Sequence, residues 1–191
     1  MKELTDFWVA GERDAQKMWD SWKDPHRQQV LAALGLLNVG TVYELGCGSG
    51  PNLRLLRELY PKMFLAGCEP NRGLREHARQ HFTVDDRMLP EVPQKSFDLV
   101  FTCYTLAYID REDALITLTR VHGHGTQHMV LIEPSAYVTP FGPPGVYEGH
   151  AMPSYVHDYP RLAEQAGWKV EWRWPIFPHH MGLNATLVLN R

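Results

Sequence analysis

Glu44-Leu45-Gly46-Cys47-Gly48-Ser49-Gly50 sets the architecture of this chain. Val42, Tyr43 and Leu45 read as the end of a buried strand, because β-branched and aromatic residues run up to a glycine-rich break. Glycine at alternate positions lets the backbone turn sharply and approach a ligand that a Cβ would keep away. Pro51 suits the first position of a helix whose apolar side continues through Leu53, Leu55, Leu56 and Leu59. Strand, glycine turn and helix make the first half of a nucleotide-binding βαβ unit.

The residues around the turn say which nucleotide. Dinucleotide sites need Gly-x-Gly-x-x-Gly, with the pyrophosphate lying on the helix N-terminus. Gly46 and Gly48 supply the first two glycines, and Pro51 occupies the third position. Glu44 would repel a pyrophosphate at this strand end and favour a cation. A carboxylate about 4 Å from a unit charge interacts by roughly 4 kcal/mol at an effective dielectric of 20, enough to choose between an anionic and a cationic ligand. S-adenosylmethionine (SAM) fits that field, since it has no phosphate and carries an α-ammonium group and a sulfonium. The stretch resembles the first signature motif of the class I SAM-dependent methyltransferases that act on small molecules.

The resemblance implies an enzyme with an α/β, Rossmann-like fold: a seven-stranded, mostly parallel sheet in the order 3-2-1-4-5-7-6 with helices on both faces. It implies SAM as cofactor and S-adenosylhomocysteine as product. Specific motifs carry it from about residue 40 to 135. Glu69, with Pro70, ends the second strand, expected over Met63 to Cys68, at the distance where the next strand offers an acid to a ribose. A carboxylate accepts from both ribose hydroxyls, which neutral residues match poorly. Phe82-Thr83-Val84 reads as a third strand running into Asp85-Asp86-Arg87-Met88-Leu89-Pro90. That segment resembles the family's adenine-binding region, where either aspartate fits the spacing and Arg87 or Met88 packs on the ring. Ser96 to Tyr104 resembles the family's fourth strand, continuing through Leu106-Ala107-Tyr108. Asp98 sits at its far, structural end, while Cys103 and Tyr104 fall at its ligand end. Backbone contacts to SAM are assigned to Gly46, Cys47 and Gly48.

At 191 residues the chain suits one domain over 1–191. A net charge of −3 gives no nucleic-acid footprint. No apolar run approaches the ~20 residues of a membrane span. The N-terminus lacks the apolar segment of a secretory signal, and Cys47, Cys68 and Cys103 show no CxxC spacing, so a cytoplasmic protein with reduced thiols is expected.

Residues 1–38 are expected to form a helical cap. Trp8, Ala15, Trp19 and Trp22 fall on one face of a helix over 5–22, and Asp24-Pro25 starts a second helix through Val30, Leu31, Leu34 and Leu37. Arg27 reads as a solvated position on that helix, with a cation pointed toward the SAM carboxylate as the alternative. Asn71 caps a polar helix from Arg72, and Asp110 caps another that carries Ala114, Leu115, Leu118 and Val121. The histidines at 122, 124 and 128 fall where a helix must end and turn into the fifth strand, His128 to Glu133. With His179-His180 they lack metal-ligand spacing, and no metal is expected. Residues 134–157 mix proline, glycine and aromatics and read as an acceptor-facing loop. A short helix from Pro160 to Ala166 and an antiparallel pair, Trp168–Trp174 with Ala185–Leu189, close the chain.

The expected reaction is in-line methyl transfer to an O, N or C atom of a small-molecule acceptor. SAM already carries a good leaving group, so alignment and exclusion of water do most of the work, and positioning can supply about 7–11 kcal/mol. A hydroxyl acceptor would use a base, for which His150, His157, Tyr104 and Tyr108 are candidates by location. A SAM-binding module without transferase activity is the alternative; an NAD-type oxidoreductase is a weaker one, opposed by Glu44 and Pro51.

Overall fold

The computed structural model describes residues 8–24, 27–35, 37–134, 145–147, 154–174, 178–179 and 182–191. Seven strands form the main sheet in the order β3-β2-β1-β4-β5-β10-β8. They are β1 (Thr41–Leu45), β2 (Phe64–Cys68), β3 (Thr83–Asp85), β4 (Leu99–Cys103), β5 (His128–Pro134), β8 (Lys169–Trp174) and β10 (Gly182–Asn190). β1 to β5 pair in parallel, and β10 runs antiparallel between β5 and β8. This is the expected 3-2-1-4-5-7-6 arrangement, with the last strand of the chain inserted before the preceding main strand. Three short strands add to the numbering: β6 (Gly145–Tyr147) and β7 (Ser154–Val156) pair antiparallel, and β9 (Pro178–His179) pairs with β10. Residues 134–157 are therefore not loop throughout.

Alternation along β1 puts neighbouring residues on opposite faces of the sheet. Tyr43 and Leu45 join Val100, Met129 and Leu131 in a core covered by α5 (Arg111–Gly123) and α6 (Tyr159–Gln165), through Ala114, Leu118, Val121, Leu162 and Ala163. Val42 joins Leu99, Phe101, Val130 and Ile132 under α2 (Gln28–Leu34) and α3 (Pro51–Leu59), through Val30, Ala33, Leu53 and Leu56. Fully burying a leucine-sized side chain is worth about 1.5–3 kcal/mol, so both faces need their helices. Glu44 shares the face of Val42 and lies under α3.

Local signals set the element ends. Asn71 opens α4 (Arg72–Ala78) by accepting the Leu74 N–H, and Asp110 and Asp158 open α5 and α6 in the same way. Asp98 accepts the Gly40 and Thr41 N–H groups at 2.9 Å each, tying the starts of β1 and β4 together at the end of the sheet away from the glycine turn.

Four expectations need correction. The chain is helical through Ala10, bends at Gly11, and restarts as α1 (Ala15–Asp20), followed by a 3-10 turn over Ser21–Lys23. The restart follows from Asp14, whose carboxylate accepts the Lys17 N–H at 2.8 Å, an N-cap that outcompetes a continuous helix. Trp19 consequently stacks on His81 at 4.4 Å, away from Trp8. The second helix starts at Gln28, later than Asp24, and ends at Leu34 with Gly35 as its C-cap, before Leu37; Pro25 lies outside the described residues. β3 is shifted to Thr83–Asp85, and β4 stops at Cys103, with Leu106–Tyr108 forming a 3-10 turn. No helix among the described residues is long and apolar enough to cross a membrane.

Candidate active site

A cavity opens at the carboxyl ends of β1, β2 and β4, with about 1000 Å³ of empty space including its mouth. The glycine turn forms its floor. Gly46 has φ 69°, and a Cβ there would fall 2.5 Å from Thr105 Cγ2, so the turn after β4 packs directly on the glycine. The amides of the turn are already engaged. Cys47 N–H donates to Cys68 O (2.9 Å), Gly48 N–H to Glu69 Oε2 (2.8 Å), Ser49 N–H to Met18 Sδ (3.5 Å) and Gly50 N–H to Cys47 O (2.9 Å). A turn whose N–H groups are spent on the protein offers no cradle for a diphosphate.

Glu44 is 1% exposed and lines this cavity. Its Oε1 accepts from Asn52 Nδ2 at 2.6 Å, while Oε2 is buried with no hydrogen-bond partner. Burial pushes the acid up to about 8, against the opposing pull of Asn52 and the Arg27 guanidinium. Arg27 is half-buried on the cavity wall and not at the solvated position, which leaves the other reading of it, a cation near the cofactor site, open. It donates to Asn52 Oδ1 and to the Ser21 carbonyl and hydroxyl, each at 2.9 Å. The 3-10 turn draws it inward, a contact that helix periodicity does not encode.

Glu69, also buried and on the cavity wall, accepts Gly48 N–H and Asn71 N–H at 2.8 Å on its two oxygens. Each oxygen keeps a further lone-pair site for a ligand. Burial raises its acid, offset by those two N–H groups and by Arg75. Pro70, Arg87, Met88 and Leu89 continue the wall. Neither Asp85 nor Asp86 joins it. Asp85 faces inward, accepting from the Tyr43 hydroxyl at 2.8 Å and pairing with the Arg87 guanidinium, while Asp86 is exposed.

The turn after β4 makes the opposite wall with Cys103, Tyr104, Thr105, Tyr108 and Ile109. Tyr104 adopts φ 58°, a left-handed conformation costing a non-glycine residue about 1–2 kcal/mol. Its flanks hold it there. Tyr104 N–H donates to Ile132 O at 3.0 Å, and Thr105 Oγ1 donates to Leu45 O at 3.0 Å. Glu133, fully buried at the end of β5, accepts the N–H groups of Thr105 (2.9 Å), Leu106 (3.1 Å) and Ala107 (3.3 Å). Burial still pushes its acid up to about 7. Glu133 was not singled out from sequence, although a carboxylate ending an apolar strand beside Pro134, at the same sheet edge as Glu44 and Glu69, was a usable signal.

His157 does not reach the cavity, which corrects its candidacy as a base. Buried behind the wall, it puts Nε2 3.1 Å from the Ile109 carbonyl, stacks on Tyr155 and meets Tyr159 edge-on. Burial lowers its pKa, so it holds Ile109 as a neutral donor. His150 lies outside the described residues. Of the other histidines, His122 packs edge-on to Trp168, His124 meets the Pro93 carbonyl and His128 meets Asn190. Among the described residues no three metal-binding side chains converge. Cys47, Cys68 and Cys103 are free and buried, and burial pushes the last two up to about 12, which keeps them as packed thiols. The N-terminal segment closes the cavity with Trp8, Val9 and Met18, and Trp8 packs on Tyr108 at 4.9 Å.

The geometry has counterparts. A family model described as a methyltransferase domain matches residues 22–181. A magnesium protoporphyrin IX methyltransferase from Synechocystis PCC 6803 with bound S-adenosylhomocysteine superposes with a TM-score of 0.70 at 15% identity, covering 100% of this chain and 99% of that one. A SAM-dependent methyltransferase of the DUF858 family from Leishmania major gives a TM-score of 0.75 at 14% identity, covering 99% and 82%. A sugar N-methyltransferase from Streptoalloteichus sp ATCC 53650 gives 0.68 at 14% identity, covering 94% and 93%. No protein of curated function matches the sequence.

Proposed function

The chain belongs to the methyltransferase-domain family and is a class I SAM-dependent enzyme, and from that premise we propose that it moves the methyl group of SAM onto an O, N or C atom of a small-molecule acceptor, releasing S-adenosylhomocysteine. The observation that carries the reading is a pair of buried carboxylates at adjacent strand ends, one with a bare oxygen, beside a glycine turn whose amides are already bonded. That arrangement rejects phosphate and accepts cations and hydroxyls.

In this reading Glu44 faces the α-ammonium group and Arg27 the α-carboxylate, with Gly46, Cys47 and Gly48 beneath the methionyl chain. Glu69 takes the ribose hydroxyls, and Pro70, Arg87 and Met88 enclose the adenine, without direct use of Asp85 or Asp86. Cys103 and Tyr104 lie beside the sulfonium. Trp8, Tyr108 and Ile109 bound the remaining space, an apolar and aromatic wall suited to excluding water while an acceptor approaches in line. Tyr104 and His150 stand as candidate bases for a hydroxyl acceptor; an amine or thiol needs neither. Similar folds that act on a sugar, a glycopeptide and a porphyrin support a small acceptor. Residues 1–191 act as one unit whose N-terminal segment caps the site, and free buried thiols suit a reducing, cytoplasmic setting.

Calorimetric titration tests the cofactor: heat with SAM and none with NAD is expected, and silence with SAM overturns the reading. Incubation with methyl-labelled SAM and a metabolite extract tests transfer. Label reaching a small molecule is expected; tight SAM binding with no label transferred to any acceptor would make the chain a binding module.

A further inference from the structure

Asn71 joins two helix ends and the ribose carboxylate through one side chain. Its Oδ1 accepts the Leu74 N–H at 3.1 Å and opens α4. Its Nδ2 faces the other way and donates to Trp8 O (2.8 Å) and Gly11 O (2.9 Å), with Val9 O at 3.4 Å. Those carbonyls lie where the N-terminal helical turn ends, and a helix end leaves its last carbonyls without intrahelical donors. The amide is 4% exposed, and the Leu74 N–H fixes which of its ends is oxygen. The Asn71 backbone N–H donates to Glu69 Oε1 at 2.8 Å.

A parallel connection runs on the Glu44 side, from Glu44 through Asn52 and Arg27 to Ser21. Both proposed cofactor carboxylates are thus wired to the N-terminal segment. The Asn71 link reaches Trp8 and Val9, which line the cavity together with Met18, while the Glu44-side link ends at Ser21.

Resting on the methyltransferase reading, we propose that Asn71 is a positioning residue that pins the segment Trp8–Gly11 to the ribose-binding carboxylate, so that cofactor binding and closure of the acceptor wall reinforce each other. A ligand on Glu69 steadies the backbone of Asn71, and the side-chain amide passes that order to the segment carrying Trp8 and, through Gly11, to residues 12–18 that lead into α1. By linkage, a segment held in place raises cofactor affinity by the same factor. An acceptor then meets a finished wall only when the cofactor is in place.

Asn71→Ser separates the pin from the cap, because serine caps a helix as well as asparagine does but cannot reach the three carbonyls. Asn71→Asp keeps the cap and removes the donor by a second route. The unmodified 191-residue chain and both variants are titrated with S-adenosylhomocysteine by calorimetry, and hydrogen exchange is followed with and without it. The unmodified chain gains protection across residues 12–18 on binding. Both variants bind roughly tenfold more weakly, because the ligand must then order a segment that the lost hydrogen bonds no longer hold in place. They lose the ligand-induced protection at 12–18 and keep it at 44–50, and their melting temperatures without ligand stay close to that of the unmodified chain. Unchanged affinity and unchanged protection at 12–18 in the variants overturn the pin alone. Failure of the unmodified chain to bind S-adenosylhomocysteine overturns the methyltransferase reading and the pin with it.

Discussion

The cavity rim at the ends of β1 and β2 and the rim at the turn after β4 both depend on buried glutamates, and they use them in opposite ways. On the first rim Glu44 leaves one buried oxygen without a hydrogen-bond partner, and Glu69 keeps spare acceptor capacity on both. On the second, Glu133 spends its oxygens on three consecutive main-chain N–H groups. Burial raises the acid in both places, to about 8 at Glu44 and about 7 at Glu133, so the size of the shift does not distinguish them. Hydrogen-bond accounting does. A buried carboxylate that ties down three consecutive backbone N–H groups is a fastener, and one that keeps half or more of its lone-pair sites is a place for a ligand.

The sharpest way to break this contrast is Glu133→Ala. It strands the N–H groups of Thr105, Leu106 and Ala107, and unfolding free energy should fall by about 3 kcal/mol or more. Glu133→Gln, which keeps an acceptor, should lose about 1 kcal/mol in the same urea titration. Equal losses would mean that the turn does not depend on the carboxylate. Next in size, Glu69→Ala should weaken SAM by about 2–3 kcal/mol in calorimetry, since both ribose hydrogen bonds go to a charged acceptor. Unaltered affinity would move the ribose elsewhere.

A pH titration sharpens the comparison further. The native chain holds a proton on Glu44 that the unfolded chain, with an ordinary carboxyl near 4.5, releases. The Glu44 contribution to stability without ligand is therefore fully present below about 4.5 and declines as pH rises toward 8, where the native group also ionises. SAM needs the ionised form, so its binding below pH 8 should release a proton, and affinity should rise up to tenfold per pH unit. Calorimetry in two buffers of different ionisation enthalpy counts that proton, and Glu44→Gln should abolish it. The smallest effect belongs to the far end of the sheet. Asp98→Ala should cost about 1 kcal/mol of stability and leave SAM affinity alone. The Gly40 and Thr41 N–H groups depress the Asp98 acid below 3.8, so its contribution is present above that pH and lost as the pH falls through the lowered value.

Much of the first rim was legible in the sequence. The glycine turn, Glu44 and Glu69 occur as local patterns, each specified by a few neighbours and by the rule that ligands gather at the carboxyl ends of parallel strands. The caps at Asn71 and Asp110 were legible for the same reason. The second rim was not. Glu133 meets the turn at 105–107 only because β4 and β5 are adjacent; likewise, beside the first rim, Arg27 turns inward only because the segment before it bends. The aromatic spacing of residues 8–22 favours one helix, yet the Asp14 cap and the separate destinations of Trp8 and Trp19 divide it.

The sequence alone determined the strands and the chemistry of their ends, because hydrophobic period, glycine and charge act over a few residues, and the order of the sheet was implied only by the family resemblance that those motifs carry. Tertiary structure decided which buried acid stays open, where the N-terminal segment lies and which histidine remains behind the wall. Those outcomes depend on hydrogen-bond partners far apart in the chain, and no local pattern encodes whether a partner will be there.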